Sequence, residues 1–514
     1  MSKLPMFKDF VPEWMRFPIL LLLPFIFQSS NPVFMNVAAQ MMSDTALTNE
    51  DVMMLGFAPI LGITVTFPLV FRNKFRFTTR TILTYASLGM IICGFLATKV
   101  TFFPLLLLIC FVYGILKLLG TFECFSSMMM IITPNMHLAP FLAVVFLAVF
   151  GGVELCGLGS TYLSYLHGWE YASYALILAH CVVLLVARLL MKDFRFKPPM
   201  KLYGIDWLGM LLWGLFLLSL TAVFVYGETL DWLHSDAIRI CCGIALLSLG
   251  GNLWRMTHVR HPYLDLQCFR YRNIWQILVI FFIVGVMLSS QTVLQNILTG
   301  SVLHFQPMNS VDLNWAVLAG IALGCWLGRL GLTSFGWDYK QLTLLSILFL
   351  TAYVAAMYFL VAPGVKLSHF ILPSILSGVG HALVFVVLTT YVENNTPFEH
   401  RMMMLTVLGL VRTGIASPIG AAMYGHLFKV EMGRNLALLG SDAHAGSMLH
   451  YGGYGEMVQG VVQQAIMVSL RNLFGLTVII GVVTMLIILI ARFNPKQYIT
   501  LPTLGKIYKG IEES

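Results

Sequence analysis

Charge is what this sequence has least of. Asp, Glu, Lys and Arg make up 11% of its 514 residues, against about 25% in a soluble domain. Too few charges remain to cover a water-facing surface of this size, which excludes a soluble globular enzyme. The nine cysteines form no CxxC pair, and most sit inside apolar runs, as Cys93, Cys110 and Cys181 do. They read as small core residues, with no metal site and no disulfide frame. There is no Walker A sequence, so this chain does not itself hydrolyse ATP. No cleavable signal-peptide pattern and no soluble domain are expected. No cofactor is expected either.

What the chain does have is apolar length. Hydrophobic residues make up 58% of it, in blocks of about 20, the length a bilayer core requires. Fourteen segments read as spans, near 17–40, 52–71, 80–98, 102–132, 138–160, 169–191, 205–226, 236–256, 273–297, 310–331, 339–361, 367–392, 401–427 and 468–492. The fourth is long and is followed by Pro134. Short connections suit antiparallel neighbours in an all-α polytopic bundle.

The net charge of +8 suggests cytoplasmic loops rather than nucleic acid. With both termini cytoplasmic, 23 of the 31 Lys and Arg fall on the cytoplasmic side and six on the other; Lys117 and Arg412 fall inside spans. Arg72, Lys74, Arg76 and Arg80 form one cytoplasmic cluster; Lys192, Arg195, Lys197 and Lys201 form another. The six external cations are Lys99, Arg239, Lys366, Lys429, Arg434 and Arg471. This split fixes the orientation. One connection, 428–467, reads as a long external loop; its end, from Glu456, suits an amphipathic helix at the interface, and a flexible lid is the equal alternative.

Several segments form a recognisable order. Asn31-Pro-Val-Phe-Met-Asn36 closes span one, and Gly151-Gly152-Val-Glu154-Leu-Cys-Gly157-Leu-Gly159 lies in span five. Asp206-Trp-Leu-Gly209 opens span seven, and Pro262-Tyr-Leu-Asp265-Leu-Gln-Cys-Phe269-Arg270 follows span eight. Leu410-Val-Arg412-Thr-Gly414-Ile-Ala-Ser-Pro418 lies in span thirteen. Together they resemble the fourteen-helix drug:proton antiporter branch of the major facilitator superfamily, over nearly the whole chain. The resemblance implies a six-helix bundle over 1–200, an inserted helix pair over 201–258 and a second six-helix bundle over 259–514. The two bundles would rock about a midplane site.

The pattern is also departed from. The loop after span two lacks the branch's acid and both glycines, reading Pro68-Leu-Val-Phe-Arg72-Asn-Lys74-Phe-Arg76. Its counterpart after span ten, Gly324-Cys-Trp-Leu-Gly328-Arg329, lacks the acid too. Span four has Lys117-Leu-Leu-Gly120-Thr where the branch carries Arg-x-x-Gln-Gly, and Asn31 stands where span one often carries an acid.

Charges inside spans cost at least about 2.5 kcal/mol each and mark functional candidates. Glu154 and Glu123 are the candidate proton carriers; the alternative for Glu123 is a glutamate held by a partner such as Lys117. Arg412 either attracts an anionic substrate or bonds carbonyls at a kink near Pro418. His381 is a titrating group or a neutral core residue. Gln291 and Gln295, four apart and on one face, offer hydrogen bonds to a ligand or between helices. Asn31 and Asn36 have the same two readings, and Lys117 is a further substrate or cavity candidate. The resemblance gives Gly151, Gly152, Gly157 and Gly159 a conformational role, with Gly324, Gly328 and Arg329 in the loop motif.

The expected function is export of a small amphipathic or hydrophobic compound, drug-like or a metabolite, by proton antiport. The expected setting is the inner (cytoplasmic) membrane, multi-pass. The partners are a small-molecule substrate, the proton and the lipid bilayer, and a periplasmic adaptor with an outer-membrane channel if efflux is tripartite. Uptake or a metabolite or lipid porter of other coupling, and a transport-dead sensor or scaffold, remain as alternatives.

Overall fold

A computed structural model describes residues 6–133, 138–194, 205–270, 274–397, 400–441, 454–491 and 493. Pro134, the basic stretch 195–204, Arg272, residues 442–453 and the tail from 494 lie outside the described residues. Among the described residues the regular elements are helices, apart from one bridge between Phe7 and Met191. Among the described residues thirteen helices are long and apolar enough to cross a bilayer, so the chain is a multi-pass membrane protein.

The expected span 17–40 is broken. Helix α1 (Glu13–Gln28) ends after 16 residues, and the chain resumes as a 3-10 turn (Met35–Val37) and α2 (Ala38–Asp44). Pro32 explains the break: it gives no amide hydrogen and keeps Asn31 out of the helical region. Five longer helices follow: α3 (Asn49–Arg76), α4 (Thr79–Lys99), α5 (Phe103–Ile132), α6 (Leu138–His167) and α7 (Trp169–Leu189). Helices α4 to α7 pack with α1 around Phe27, Leu83, Tyr113, Ala148 and Val183, and α3 packs on α5.

Next come α8 (Trp207–Tyr226) and α9 (Asp236–His258), packed on each other. The remainder holds α10 (Ile274–Ser290), α11 (Ser310–Thr333), α12 (Tyr339–Leu360), α13 (Ser368–Asn395), α14 (Arg401–Gly409), α15 (Ser417–Ser441) and α16 (Tyr454–Ile490). Wide π-helical turns interrupt it at Gln291–Gln295, Leu298–Val302 and Leu410–Ala416. These helices share a core of Leu294, Leu313, Tyr353, Phe370, Tyr424 and Phe474. The two groups meet where α6 packs on α11 and α3 packs on α14.

Asp206 ties the inserted pair to the rest. Its carboxylate accepts from the Gly209 amide at 2.8 Å, Arg255 Nη2 at 2.5 Å and the Tyr263 amide at 3.2 Å. The Tyr263 hydroxyl then donates to the Val65 carbonyl at 2.8 Å. Thus Asp206-Trp-Leu-Gly209 and Pro262-Tyr-Leu-Asp265 are partners in one knot. Gly209 is required there, since a Cβ would lie 2.3 Å from Asp206 Oδ2. Burial opposes ionisation of Asp206, but Arg255 and the two amides outweigh it and hold the carboxyl below the usual carboxylate range.

The expected external loop 428–467 is mostly helix. α15 runs on to Ser441 and α16 starts at Tyr454. The residues from Glu456 are the start of α16, continuous with the last span, instead of a separate interfacial helix. Polar side chains that suggested a loop bond the two helices together. Asn435 donates to Ser469 at 2.9 Å, and Asn472 donates to Glu431 at 3.1 Å. At 37 residues, α16 is about 55 Å long, well beyond the roughly 30 Å of hydrocarbon.

Candidate functional site

Arg412 sits in the π-helical stretch of span thirteen. A π turn inserts an extra residue into the helical ladder and re-aims side chains, and such turns are frequent at functional sites. The Arg412 guanidinium lies over Phe385 at 4.3 Å and over Phe150 at 5.8 Å from the ring centres. His381 packs 4.3 Å from Phe150 and 5.0 Å from Phe385. Phe146 and Phe281 complete the cluster against Phe385, at 5.8 Å and 5.3 Å. Phe146 and Phe150 come from α6 in the first group of helices; the rest come from α10, α13 and span thirteen in the second. The cluster therefore crosses the plane between the two groups. Beside it, the Thr64 and Thr413 hydroxyls share a hydrogen bond at 3.2 Å.

Phe150 and Phe385 carry this site, and no expectation named them. With 37 phenylalanines in the chain, a single one carries no signal. The available clue was spacing: Phe146/Phe150 and His381/Phe385 are each four apart, and so share a helix face.

Glu154 is one turn beyond Phe150 on α6, half-buried. It forms no hydrogen bond or ion pair with any described residue. It sits 16 residues from the start of α6, about 24 Å along the helix and near mid-bilayer.

Glu123 is placed differently. It is 1% exposed, accepting from Lys74 Nζ at 2.5 Å and Thr79 Oγ1 at 2.6 Å. Lys74 also donates to Ser127 at 3.1 Å. Its partner is therefore Lys74 at the end of α3, and Lys117 bonds elsewhere. Being 20 residues from the external end of α5, Glu123 lies about 30 Å down that helix, at the cytoplasmic boundary.

Lys117 is 3% exposed and fills the break in span one. Its ammonium donates to the Ser30 carbonyl at 3.0 Å and to Asn31 Oδ1 at 3.2 Å. The break frees that carbonyl, and Lys117 satisfies it. The Ser30 hydroxyl shares a 2.9 Å hydrogen bond with His180 Nε2, and Gln28 donates to Thr121 at 3.1 Å.

Gln291 and Gln295 accept from neighbouring helices: Ser377 donates to Gln291 and Tyr353 to Gln295, each at 2.7 Å. The glycines of span five differ among themselves. A Cβ on Gly152 would lie 2.6 Å from Gln28 Cβ, and one on Gly157 would lie 2.6 Å from Asn36 Nδ2 and 3.1 Å from Asn314 Nδ2. One on Gly151 would sit 3.2 Å from Leu318, whereas one on Gly159 would meet nothing. A Cβ on Gly324 would lie 2.5 Å from the Val379 carbonyl oxygen and one on Gly328 would lie 3.0 Å from Val386, so α11 and α13 pack closely. Arg329 is exposed, and its guanidinium has no hydrogen bond or ion pair with a described residue.

No family model matches the chain, and no curated protein matches it. Solved structures do. A structure of a proton-dependent oligopeptide transporter is 12% identical, covering 92% of this chain and 97% of its own, with a TM-score of 0.58. The human organic anion transporter MFSD10 (TETRAN) is 12% identical over 92% of this chain and 100% of its own, with a TM-score of 0.52. A bacterial homologue of the human lysosomal transporter Spinster, inward-facing and occupied, is 17% identical over 94% and 98%, with a TM-score of 0.50. Each of these neighbours is a transporter, and none is an enzyme. At such identities the likeness is one of fold alone, the all-helical major facilitator fold.

Proposed function

We propose that the chain is a secondary active transporter that exports a small amphipathic or hydrophobic compound in exchange for protons. The observation that carries this reading is Glu154: a carboxyl near mid-bilayer, without a partner among the described residues, one turn from a cluster that joins the two helix groups. A charge in that setting is costly, and protonation relieves the cost. A carboxyl alternately neutral and charged as the site changes face is what proton antiport requires. We assign the carrier role to Glu154 and a pinning role to Glu123, whose charge Lys74 already balances. The 1–200 and 259–514 groups would act as the two rocking units, with 201–258 between them. The setting would be the inner membrane; nothing in the architecture requires a periplasmic adaptor or an outer-membrane channel.

The test uses everted vesicles and a panel of fluorescent amphiphiles of both charge signs. Addition of a substrate should release protons in the parent protein and not in Glu154→Gln, while Glu154→Gln still exchanges substrate in counterflow. Gradient-driven flux that survives in Glu154→Gln would remove the proposed carrier.

One observation favours a narrower substrate class. Arg412, held over two aromatic rings, offers positive charge beside a flat apolar surface. That suits a planar molecule with an anionic group, and it fits the solved neighbour described as an organic anion transporter.

A further inference from the structure

Away from the midplane, α12, α15 and α16 enclose a groove of about 710 Å³ on the external side. Its upper wall carries Arg434 and Arg471. These are two of only six Lys and Arg outside the cytoplasmic side and the spans, where topology keeps such residues rare. Arg471 lies over the Tyr358 ring at 4.9 Å from its centre. Neither arginine forms an ion pair or hydrogen bond with a described residue. Among the described residues the one carboxylate lining the groove, Glu431, accepts from Asn472 at 3.1 Å, so this lining keeps an excess of positive charge.

Depth and lining decide what such a groove takes. Arg471 stands 19 residues above Ile490, the cytoplasmic end of α16. At 1.5 Å per residue that is about 29 Å, the thickness of the hydrocarbon layer. The two guanidiniums therefore lie at the external headgroup boundary. Beside and below them the wall is apolar and faces outward: Phe359, level with Arg471, is 73% exposed, and deeper in the wall Ile479 is 61% and Leu476 39% exposed. Guanidinium groups bind phosphate through paired, charge-assisted hydrogen bonds, and basic clefts between spanning helices bind lipid headgroups.

The geometry points to a binding site for an anionic phospholipid of the outer leaflet. Its phosphate is held by Arg434 and Arg471, and an acyl chain lies along Phe359, Leu476 and Ile479. The lipid wedges the helix pair α15/α16 against α12. The site is separate from the Arg412 cluster and does not depend on the transport reading.

The test uses the full chain purified in a neutral maltoside detergent. Phosphatidylglycerol and phosphatidylcholine with identical acyl chains are each titrated while the melting temperature is followed. Phosphatidylglycerol should raise it by several degrees, with an apparent affinity at least tenfold above that of phosphatidylcholine. The double variant Arg434→Gln/Arg471→Gln should lose this preference, and Lys429→Gln, which leaves the groove intact, should keep it. Both arginines are exposed, so the double variant is expected to fold. A phosphatidylglycerol analogue with a photoactivatable acyl chain should label the α16 segment holding Leu476 and Ile479. Equal stabilisation by the two lipids, a preference that survives in the double variant, or labelling confined to other helices would each overturn the proposal.

Discussion

Lys74 and Glu123 form a buried ion pair at 2.5 Å between the cytoplasmic ends of α3 and α5. Removing one partner of such a pair leaves an unbalanced charge and costs about 3–5 kcal/mol, whereas removing both can be nearly neutral. Lys74→Met and Glu123→Gln should each lower the melting temperature by several degrees. The double variant should recover at least half of the larger loss. Additive losses, measured by thermal melting of the purified variants, would contradict the pairing.

Arg412 over Phe385 is a contact of about 0.5–2 kcal/mol, and it places the charge rather than merely supplying it. Lysine keeps the charge and loses the flat guanidinium. Arg412→Lys should therefore weaken binding of an anionic fluorescent amphiphile by roughly tenfold while the protein stays folded, and Phe385→Leu should do the same. Neutral amphiphiles should bind within about threefold of the parent. Binding titrations with both ligand types separate a substrate role from a structural one.

Asp206 gives a pH signature. Its folded-state pKa lies below the usual carboxylate range, so the ionised form is stabilised by folding. That contribution is present above the carboxylate's unfolded-state pKa and fades as pH falls through the folded one. The melting temperature should drop on acidification from pH 6 to pH 3. In Asp206→Asn it should start lower, by several degrees for a stability loss on the order of 3 kcal/mol, and depend less on pH over that range. Parallel pH profiles for the two proteins would contradict the account of the knot.

The glycines of span five allow a paired comparison. Gly152→Ala puts a methyl group 2.6 Å from Gln28 Cβ, while Gly159→Ala meets nothing. The first should lower folded yield and transport at least severalfold, the second neither. Equal effects would mean that the close approach of α1 and α6 is not what Gly152 provides.

Much of this was legible in the amino acids, and what was not has physical causes. Span 339–361 matches α12 (Tyr339–Leu360) and span 80–98 matches α4 (Thr79–Lys99), because an apolar block bounded by charge has few ways to sit in a bilayer. The break at Pro32 follows a short polar stretch, Gln28-Ser29-Ser30-Asn31, which the long apolar runs on either side outweigh in a span-length window. Segment 428–467 reads as a loop because Glu431 and Asn435 look like surface residues, yet each bonds α15 to α16, through Asn472 and Ser469. At the site, Glu154 and Arg412 stood out as charges in apolar sequence. The partner of Glu123 did not: Lys74 is 49 positions away in a basic cluster that topology alone already explained. Phe150 and Phe385 were invisible for the opposite reason, since each is an ordinary residue in an apolar helix until Arg412 is placed over them.

The central claim is that Glu154 carries the proton. The most direct measurement is proton release from everted vesicles on addition of a transported fluorescent amphiphile, comparing the parent, Glu154→Gln and Glu123→Gln at matched folded protein. The account predicts release in the parent and in Glu123→Gln, scaled by its lower stability, and none in Glu154→Gln, which still performs substrate exchange. Substrate-driven proton release that persists in Glu154→Gln would contradict it.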